Sequence, residues 1–222
     1  MLIKKTDGYL WNTNKKKLEE ITLTPLGCNG KLSDQCTIGD KNTAKNTIIF
    51  GDSHAKHFSL VFDLIAKNQH WKADFYSENA CPFLLESNKF GSSGTTNCQL
   101  LTQHVNATID HYDHVILIGR WHRYLSYNEQ ERHVFIEEFR QRIRDYQQKG
   151  INVFIVNQVP EYEKNVLKLR HSNSENTAID LSTTSQFLAK LAQEHNHVSV
   201  IDFNPIFLKW KNGFASEMPG YL

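Results

Sequence analysis

Short apolar segments alternate with helix-like segments from residue 47 onwards, and this alternation constrains the fold more than any other feature of the chain. β-branched and aromatic residues dominate five strand candidates, which are residues 47–50, 71–76, 115–119, 151–159 and 198–202. Four helix candidates lie between them, which are residues 57–67, 99–111, 128–149 and 179–195. The alternation predicts an α/β domain whose mainly parallel, five-stranded sheet is covered on both faces.

The loops that follow the strands are the expected place for a site. In open parallel sheets, ligands and catalytic groups gather beyond the carboxyl ends of the strands. This rule brings together five segments, which are residues 51–57, 77–98, 120–127, 160–178 and the chain after residue 202. Residues 77–98 and 160–178 are long loops for a compact domain, which indicates a functional role.

The first 46 residues differ from the rest of the chain. They are polar and weakly periodic, so they are interpreted as an irregular lead-in, with a short hairpin at residues 9–12 and 18–23 as one interpretation. Residues 47–222 then form one domain, as suits a chain of this length. A net charge of +1 and the lack of a Lys/Arg stripe argue against nucleic-acid binding.

The four cysteines, Cys28, Cys36, Cys81 and Cys98, form two local pairs in turn-rich segments. Neither pair has the Cys-x-x-Cys spacing of a structural zinc site. A Cys28–Cys36 disulfide and a Cys81–Cys98 disulfide would each close a loop. The first of these would give the lead-in a disulfide-stapled loop. Other connectivities, and four reduced cysteines in a cytosolic protein, are the alternatives. Disulfides would imply an oxidising compartment. Since no export signal or membrane span is visible in the sequence, the chain would then be part of a larger exported or membrane-tethered protein.

The tetrapeptide Gly51-Asp52-Ser53-His54 stands between the first strand candidate and a helix-like stretch. Hydrolytic α/β enzymes present a serine nucleophile in this setting, where backbone N–H groups and the helix dipole face the acyl oxygen. Gly51 is expected to give the turn conformational freedom. The alternative is that Asp52 or Ser53 only caps the helix.

The chain resembles the SGNH (GDSL-type) hydrolase superfamily. More narrowly, it resembles the extracytoplasmic SGNH domain fused to membrane-bound acyltransferase-3 proteins, which O-acetylate bacterial surface polysaccharides. The resemblance covers about residues 25–205 and is carried by Cys28 and Cys36, then Gly51-Asp52-Ser53-His54, then Ala80-Cys81-Pro82, and then residues 115–121 ending in Arg120-Trp121. It implies a flavodoxin-like, three-layer α/β/α fold and a periplasmic or extracytoplasmic location. It also implies a carbohydrate acceptor, an acyltransferase-3 domain in the same or a partner chain, and no cofactor or metal.

The same resemblance implies roles for individual residues. Ser53 would attack an acyl ester and form an acyl-enzyme, with Gly51, Asp52 and His54 supporting its turn. N–H groups at Ser53 and near Ala80, where the superfamily often has Gly, would form the oxyanion hole. His122 stands where the superfamily has Asn, so it is a third oxyanion donor or a loop histidine without that role. Trp121 is a packing residue or a platform for a sugar.

The sequence departs from the superfamily after the last strand. Members carry an Asp-x-x-His there whose His deprotonates the serine, and this chain has no Asp-x-x-His. The catalytic block is therefore expected to be missing through truncation or degeneration, with His54, His57 or His122 as substitute bases the remaining alternative.

Two functions follow. The first is an O-acyltransferase or acylesterase that moves acetyl groups onto or off polysaccharide hydroxyls. The second is a catalytically incompetent module that binds glycan or a partner. A free-standing esterase on small esters is a further alternative.

Overall fold

The structure is a computed structural model. In the residues that it describes, a sheet of seven strands forms the centre of the protein. Those residues are 28–30, 32, 36–84, 96–162 and 177–205. The strands are β1 (Cys28–Asn29), β2 (Thr37–Gly39), β3 (Lys45–Gly51), β4 (Lys72–Ser77), β5 (His114–Ile118), β6 (Asn152–Val156) and β7 (Val198–Ile201). The helices are α1 (Ser53–Asn68), α2 (Thr96–Thr108), α3 (Trp121–Leu125), α4 (Glu129–Gln148) and α5 (Ser182–Glu194), and a short 3-10 helix (Ile109–His111) follows α2.

The strand order is β1, β4, β3, β5, β6, β7, with β2 also paired to β4. All pairs among β4, β3, β5, β6 and β7 are parallel, so the five predicted strands form a flavodoxin-like parallel sheet and that prediction is confirmed. Two short strands from the expected lead-in extend the sheet at β4, where β1 pairs parallel and β2 antiparallel. The hairpin expected at residues 9–12 and 18–23 lies outside the described residues.

Successive residues of β3 point to opposite faces of the sheet, and both faces are covered. Ile49 packs with Phe62 of α1 on one face, whereas Ile48 and Phe50 pack with Phe139 of α4 on the other. The second face also receives buried residues of α2, α3 and α5. Burial on both sides explains why the strands are continuous apolar runs rather than alternating ones.

A disulfide between Cys81 and Cys98 ties the loop after β4 to α2, with the two Cα atoms 5.6 Å apart. This pairing confirms the prediction for the second cysteine pair. Cys36 is also disulfide-bonded. Its expected partner is Cys28, whose side chain is not among the side chains that the structure describes. Across the described chain, none of the helices has the length and hydrophobicity that a bilayer span requires.

Candidate active site

Ser53 is the first residue of α1, and only Asp52 separates it from the carboxyl end of β3. β3 lies in the sheet between β4 and β5, with Gly51 paired to Ser77 on one side and Ile118 on the other. Ser53 is partly exposed. Three strand ends therefore meet at this serine, beside the N–H groups and positive dipole end of α1.

Gly51 is required because the nucleophile turn lies directly against β5. A Cβ atom at position 51 would overlap the carbonyl oxygen of Ile118, and that carbonyl also accepts a hydrogen bond from the N–H of Asp52 at 3.3 Å. The backbone of Gly51 is not in the left-handed region. The reason for glycine is thus close approach of two strands, which corrects the expectation of conformational freedom.

Asp52 is the N-cap of α1 and is only 2% exposed. One carboxylate oxygen, Oδ1, accepts the N–H of His54 at 2.8 Å. The other, Oδ2, accepts the N–H of Arg120 at 2.7 Å and the hydroxyl of Tyr124 at 2.8 Å. Burial and the neighbouring Asp52 carboxylate hold the pKa of Tyr124 well above its ordinary value, so the hydroxyl stays a donor. Asp52 therefore does cap the helix, and it also joins the nucleophile turn to the loop after β5.

Glu161 adds a third loop to this arrangement. It follows β6, and its carboxylate receives two hydrogen bonds from Arg120, from Nε at 2.7 Å and from Nη2 at 2.9 Å. The Nε2 atom of His54 lies 3.1 Å from Glu161 Oε1. The sequence indicated the loop at residues 160–178 but did not single out Glu161 or the Arg120 side chain. The only signal available was that both follow strand ends at the same edge of the sheet.

The charges of this cluster depend on one another. Burial lowers the pKa of His54, but the carboxylate of Asp52, 3.6 Å from Nδ1, and that of Glu161, 3.1 Å from Nε2, outweigh it and raise that pKa to about 9. Burial raises the pKa of Glu161, but His54 and Arg120 bring it down to about 2. At neutral pH His54 is therefore protonated and Glu161 ionised. A protonated imidazole has no lone pair to take a proton, so this state argues against His54 as the base for Ser53.

The loop after β4 carries Ala80 and is tied to the nucleophile turn. The N–H of Glu78 donates to the carbonyl oxygen of Gly51 at 3.1 Å, and the disulfide at Cys81 anchors the other end of the loop. Ala80 has φ +52°, in the left-handed region that favours glycine, which fits the frequent Gly of the superfamily at this place. The loop expected to supply the second oxyanion donor thus lies beside the turn of Ser53.

His122 lies in the first turn of α3, after the end of β5. Its backbone N–H donates to the side-chain oxygen of Gln158 at 2.5 Å. Its imidazole Nε2 lies 3.2 Å from the hydroxyl oxygen of Ser126, the C-cap residue of α3. The ring therefore contacts the end of its own helix, and a role as oxyanion donor stays a prediction. His57, the remaining substitute base, is exposed on α1.

Trp121 is a packing residue. Its side chain is 3% exposed, its ring stacks on Phe139 with centroids 5.2 Å apart, and its Nε1 donates to the carbonyl oxygen of Val156 at 2.8 Å. A sugar platform needs an exposed ring face. The contacts therefore favour packing and correct the expectation of a substrate platform.

In the described chain, no group of three or more His, Cys, Asp and Glu side chains is arranged to hold a metal ion.

Comparisons with known proteins identify the family of the chain and similar folds. A family model described as SGNH domain (fused to AT3 domains) matches residues 22–221. No curated protein matches the sequence. The fold is similar to the periplasmic domain of a lipopolysaccharide acetyltransferase of Salmonella ser. Paratyphi A, at TM-score 0.54 and 12% identity over 73% of this chain and 67% of that one. It is also similar to the acetyl xylan esterase AlAXEase, at TM-score 0.46 and 18% identity over 75% of this chain and 82% of that one. Since the family model spans most of its length, the chain belongs to the family of SGNH domains that are fused to AT3 domains.

Proposed function

We propose that this chain is an acyl-transfer domain that moves acyl groups, acetyl first among them, onto or off carbohydrate hydroxyls through Ser53. The observation that carries the proposal is the position of Ser53 as first residue of α1 at the end of a central parallel strand. Membership of the SGNH family supports this class of chemistry. The fold likeness to a lipopolysaccharide acetyltransferase domain supports acetyl as the group and a polysaccharide as the acceptor.

In this reaction the Ser53 oxygen bonds to the carbonyl carbon of an acyl ester, and its proton passes to a base. The carbonyl oxygen becomes an oxyanion, for which the N–H groups at Ser53 and Ala80 are the proposed donors. The oxyanion then collapses, and the alcohol leaves with a proton. A sugar hydroxyl, or water in the esterase direction, attacks the acyl-enzyme in a second step with the same proton transfers reversed. The contact of His54 with Glu161 and its raised pKa argue against His54 as this base.

The family supports a setting at a membrane, with an acyltransferase-3 domain in the same or a partner chain handing the acyl group to Ser53. The Cys81–Cys98 disulfide supports an oxidising compartment, and hence a periplasmic or other extracytoplasmic location. The acceptor is then a surface polysaccharide, and the scheme requires no cofactor.

A fluorophosphonate probe tests the proposal, because it forms a stable adduct with an activated serine and leaves an unactivated one unmodified. We expect one adduct on the wild-type protein by intact-mass spectrometry and none on Ser53→Ala. Ser182→Ala is the matched control, since Ser182 is also the first residue of a helix, and an aspartate side chain accepts a backbone N–H at the start of both helices. Labelling that persists in Ser53→Ala would overturn the nucleophile assignment.

A second candidate function is a module without catalysis that binds glycan or a partner. It is favoured by the state of His54, which is bound to Glu161 and protonated rather than free to act as a base. This candidate predicts a folded wild-type protein that the probe does not label and that still retains acetylated polysaccharide in a binding assay. Stoichiometric labelling at Ser53 would rule it out.

A further inference from the structure

We infer that Glu161 is a positioning residue for Ser53, because it completes a closed ring of contacts that includes both chain neighbours of the serine. The ring has four members, which are Asp52, His54, Glu161 and Arg120. The effect on reaction rate rests on the proposed function, whereas the ring itself can be tested without it.

The two carboxylates of the ring bind the same two residues in complementary ways. Asp52 receives the backbone N–H groups of His54 at 2.8 Å and Arg120 at 2.7 Å. Glu161 contacts the side chains of the same two residues, His54 at 3.1 Å and Arg120 at 2.7 and 2.9 Å. Ser53 stands in the chain between two members of this ring. The backbone and the side chain of both His54 and Arg120 are therefore fixed together, and the turn of Ser53 is fixed with them.

The geometry at Glu161 makes the contact stronger than an ordinary surface ion pair. Both carboxylate oxygens bond the planar guanidinium group of Arg120, which is the two-point arrangement that sets direction as well as distance. The Glu161 side chain is 11% exposed and that of Arg120 is 40% exposed, so water reaches the carboxylate less than the guanidinium group. By contrast, the bridge between Arg140 and Glu137 on α4 is a single contact of 3.1 Å with a glutamate that is 49% exposed.

The backbone of Glu161 is itself fixed by a contact with another segment of the chain. Its carbonyl oxygen accepts the N–H of Ile179 at 2.8 Å, and the next residue, Tyr162, forms an antiparallel bridge with Ala178. These contacts join the loop after β6 to the segment that leads into α5. The position of the Glu161 carboxylate is therefore fixed by the backbone. Through its contacts with His54 and Arg120, this carboxylate connects the segments that follow β3, β5 and β6.

Loss of the Glu161 charge opens the ring on one side. The Arg120 guanidinium then has no carboxylate partner, and His54 keeps only Asp52, with its Nδ1 atom 3.6 Å from Asp52 Oδ1. The imidazole group of His57 also lies near His54, with the two imidazole centroids 6.4 Å apart. A misplacement of about 1 Å at a reacting group lowers rates by about 100-fold. Glu161→Gln keeps the shape of the side chain, while it removes the charge and replaces one of the two acceptor oxygens by an NH2 donor.

Three measurements on Glu161→Gln test the inference, with Glu137→Gln as the matched control. The first is fluorophosphonate labelling of Ser53, where we expect the maximal rate to fall by about 10- to 100-fold with little change in probe affinity. The second is hydrogen exchange of the Arg120 amide, which we expect to become at least about tenfold faster as its bond to Asp52 loosens. The third is NMR titration of the His54 ring, whose pKa we expect below its wild-type value of about 9. Glu137→Gln should leave all three unchanged.

A wild-type labelling rate in Glu161→Gln, or unchanged exchange of the Arg120 amide, overturns the inference. If the wild-type protein is not labelled at all, the proposed function fails, while amide exchange and the His54 titration still decide whether the ring exists. If Glu161→Gln does not fold by circular dichroism, Arg120→Lys replaces it, since lysine keeps the charge and backbone N–H but cannot form the two-point contact. It should show the same falls in labelling rate and in protection of the amide at position 120, and wild-type behaviour in both measurements also overturns the inference.

Discussion

Replacement of Asp52 by alanine tests whether one buried carboxylate holds the nucleophile turn together. Asp52 is 2% exposed and accepts three hydrogen bonds, from the N–H groups of His54 and Arg120 and from the hydroxyl of Tyr124. Alanine accepts none of them. The variant therefore loses the cap of α1 and leaves two further donors without their acceptor in a buried place.

The expected loss follows from these three contacts. Replacing an aspartate N-cap by alanine costs about 1 kcal/mol. Each of the other two donors, from Arg120 and Tyr124, costs about 1–3 kcal/mol when left unsatisfied in the interior. The free energy of unfolding should thus fall by about 4 kcal/mol, a large part of the roughly 5–15 kcal/mol that domains possess. Asp52→Asn should lose less, because its amide oxygen still accepts one of these bonds.

Urea unfolding followed by tryptophan fluorescence measures this loss, provided that the slope with urea is unchanged. Asp180→Ala is the control. Asp180 also accepts an N–H at the start of a helix, from Ser182 at 2.9 Å, but it is exposed and bonds only that residue. A loss below about 1 kcal/mol for Asp52→Ala, or a loss equal to that of the control, would refute the reasoning about the buried acceptor.

Two further predictions concern neighbours of Asp52. The raised pKa of His54 means that its ion pairing stabilises the fold fully below about pH 6.5 and that this contribution is lost as pH rises through about 9. Urea unfolding between about pH 6 and about pH 9.5 should therefore show a fall of at most about 3 kcal/mol that His54→Gln lacks, and parallel profiles would contradict it. Gly51→Ala should lower the free energy of unfolding by about 1–3 kcal/mol and slow Ser53 labelling, because its Cβ overlaps the Ile118 carbonyl. Wild-type stability and labelling would show that the two strands can separate without loss.

Local sequence patterns account for most of the secondary structure, although α3 lies in a segment, residues 120–127, that they indicate as a loop. Strands such as β3 and β5 are continuous β-branched and aromatic runs, and α4 begins after Asn128, whose side chain accepts the N–H of Glu131. These signals lie within a few residues of each other, so they can be identified without knowledge of the fold. The two short strands β1 and β2 carry no such signal. They are strands only because β4 offers them an open edge.

The sequence by itself determined that Ser53 follows a buried strand and opens a helix, because strand, turn and helix are neighbours in the chain. Tertiary structure decided what surrounds the serine. Glu161 lies 107 residues from His54 and 41 from Arg120, and the contacts among them exist only because parallel strands bring their carboxyl ends to one edge. The same holds for Trp121, whose burial against Phe139 depends on how α4 packs on the sheet. A side chain's partners and exposure depend on residues far along the chain, and no local periodicity records them.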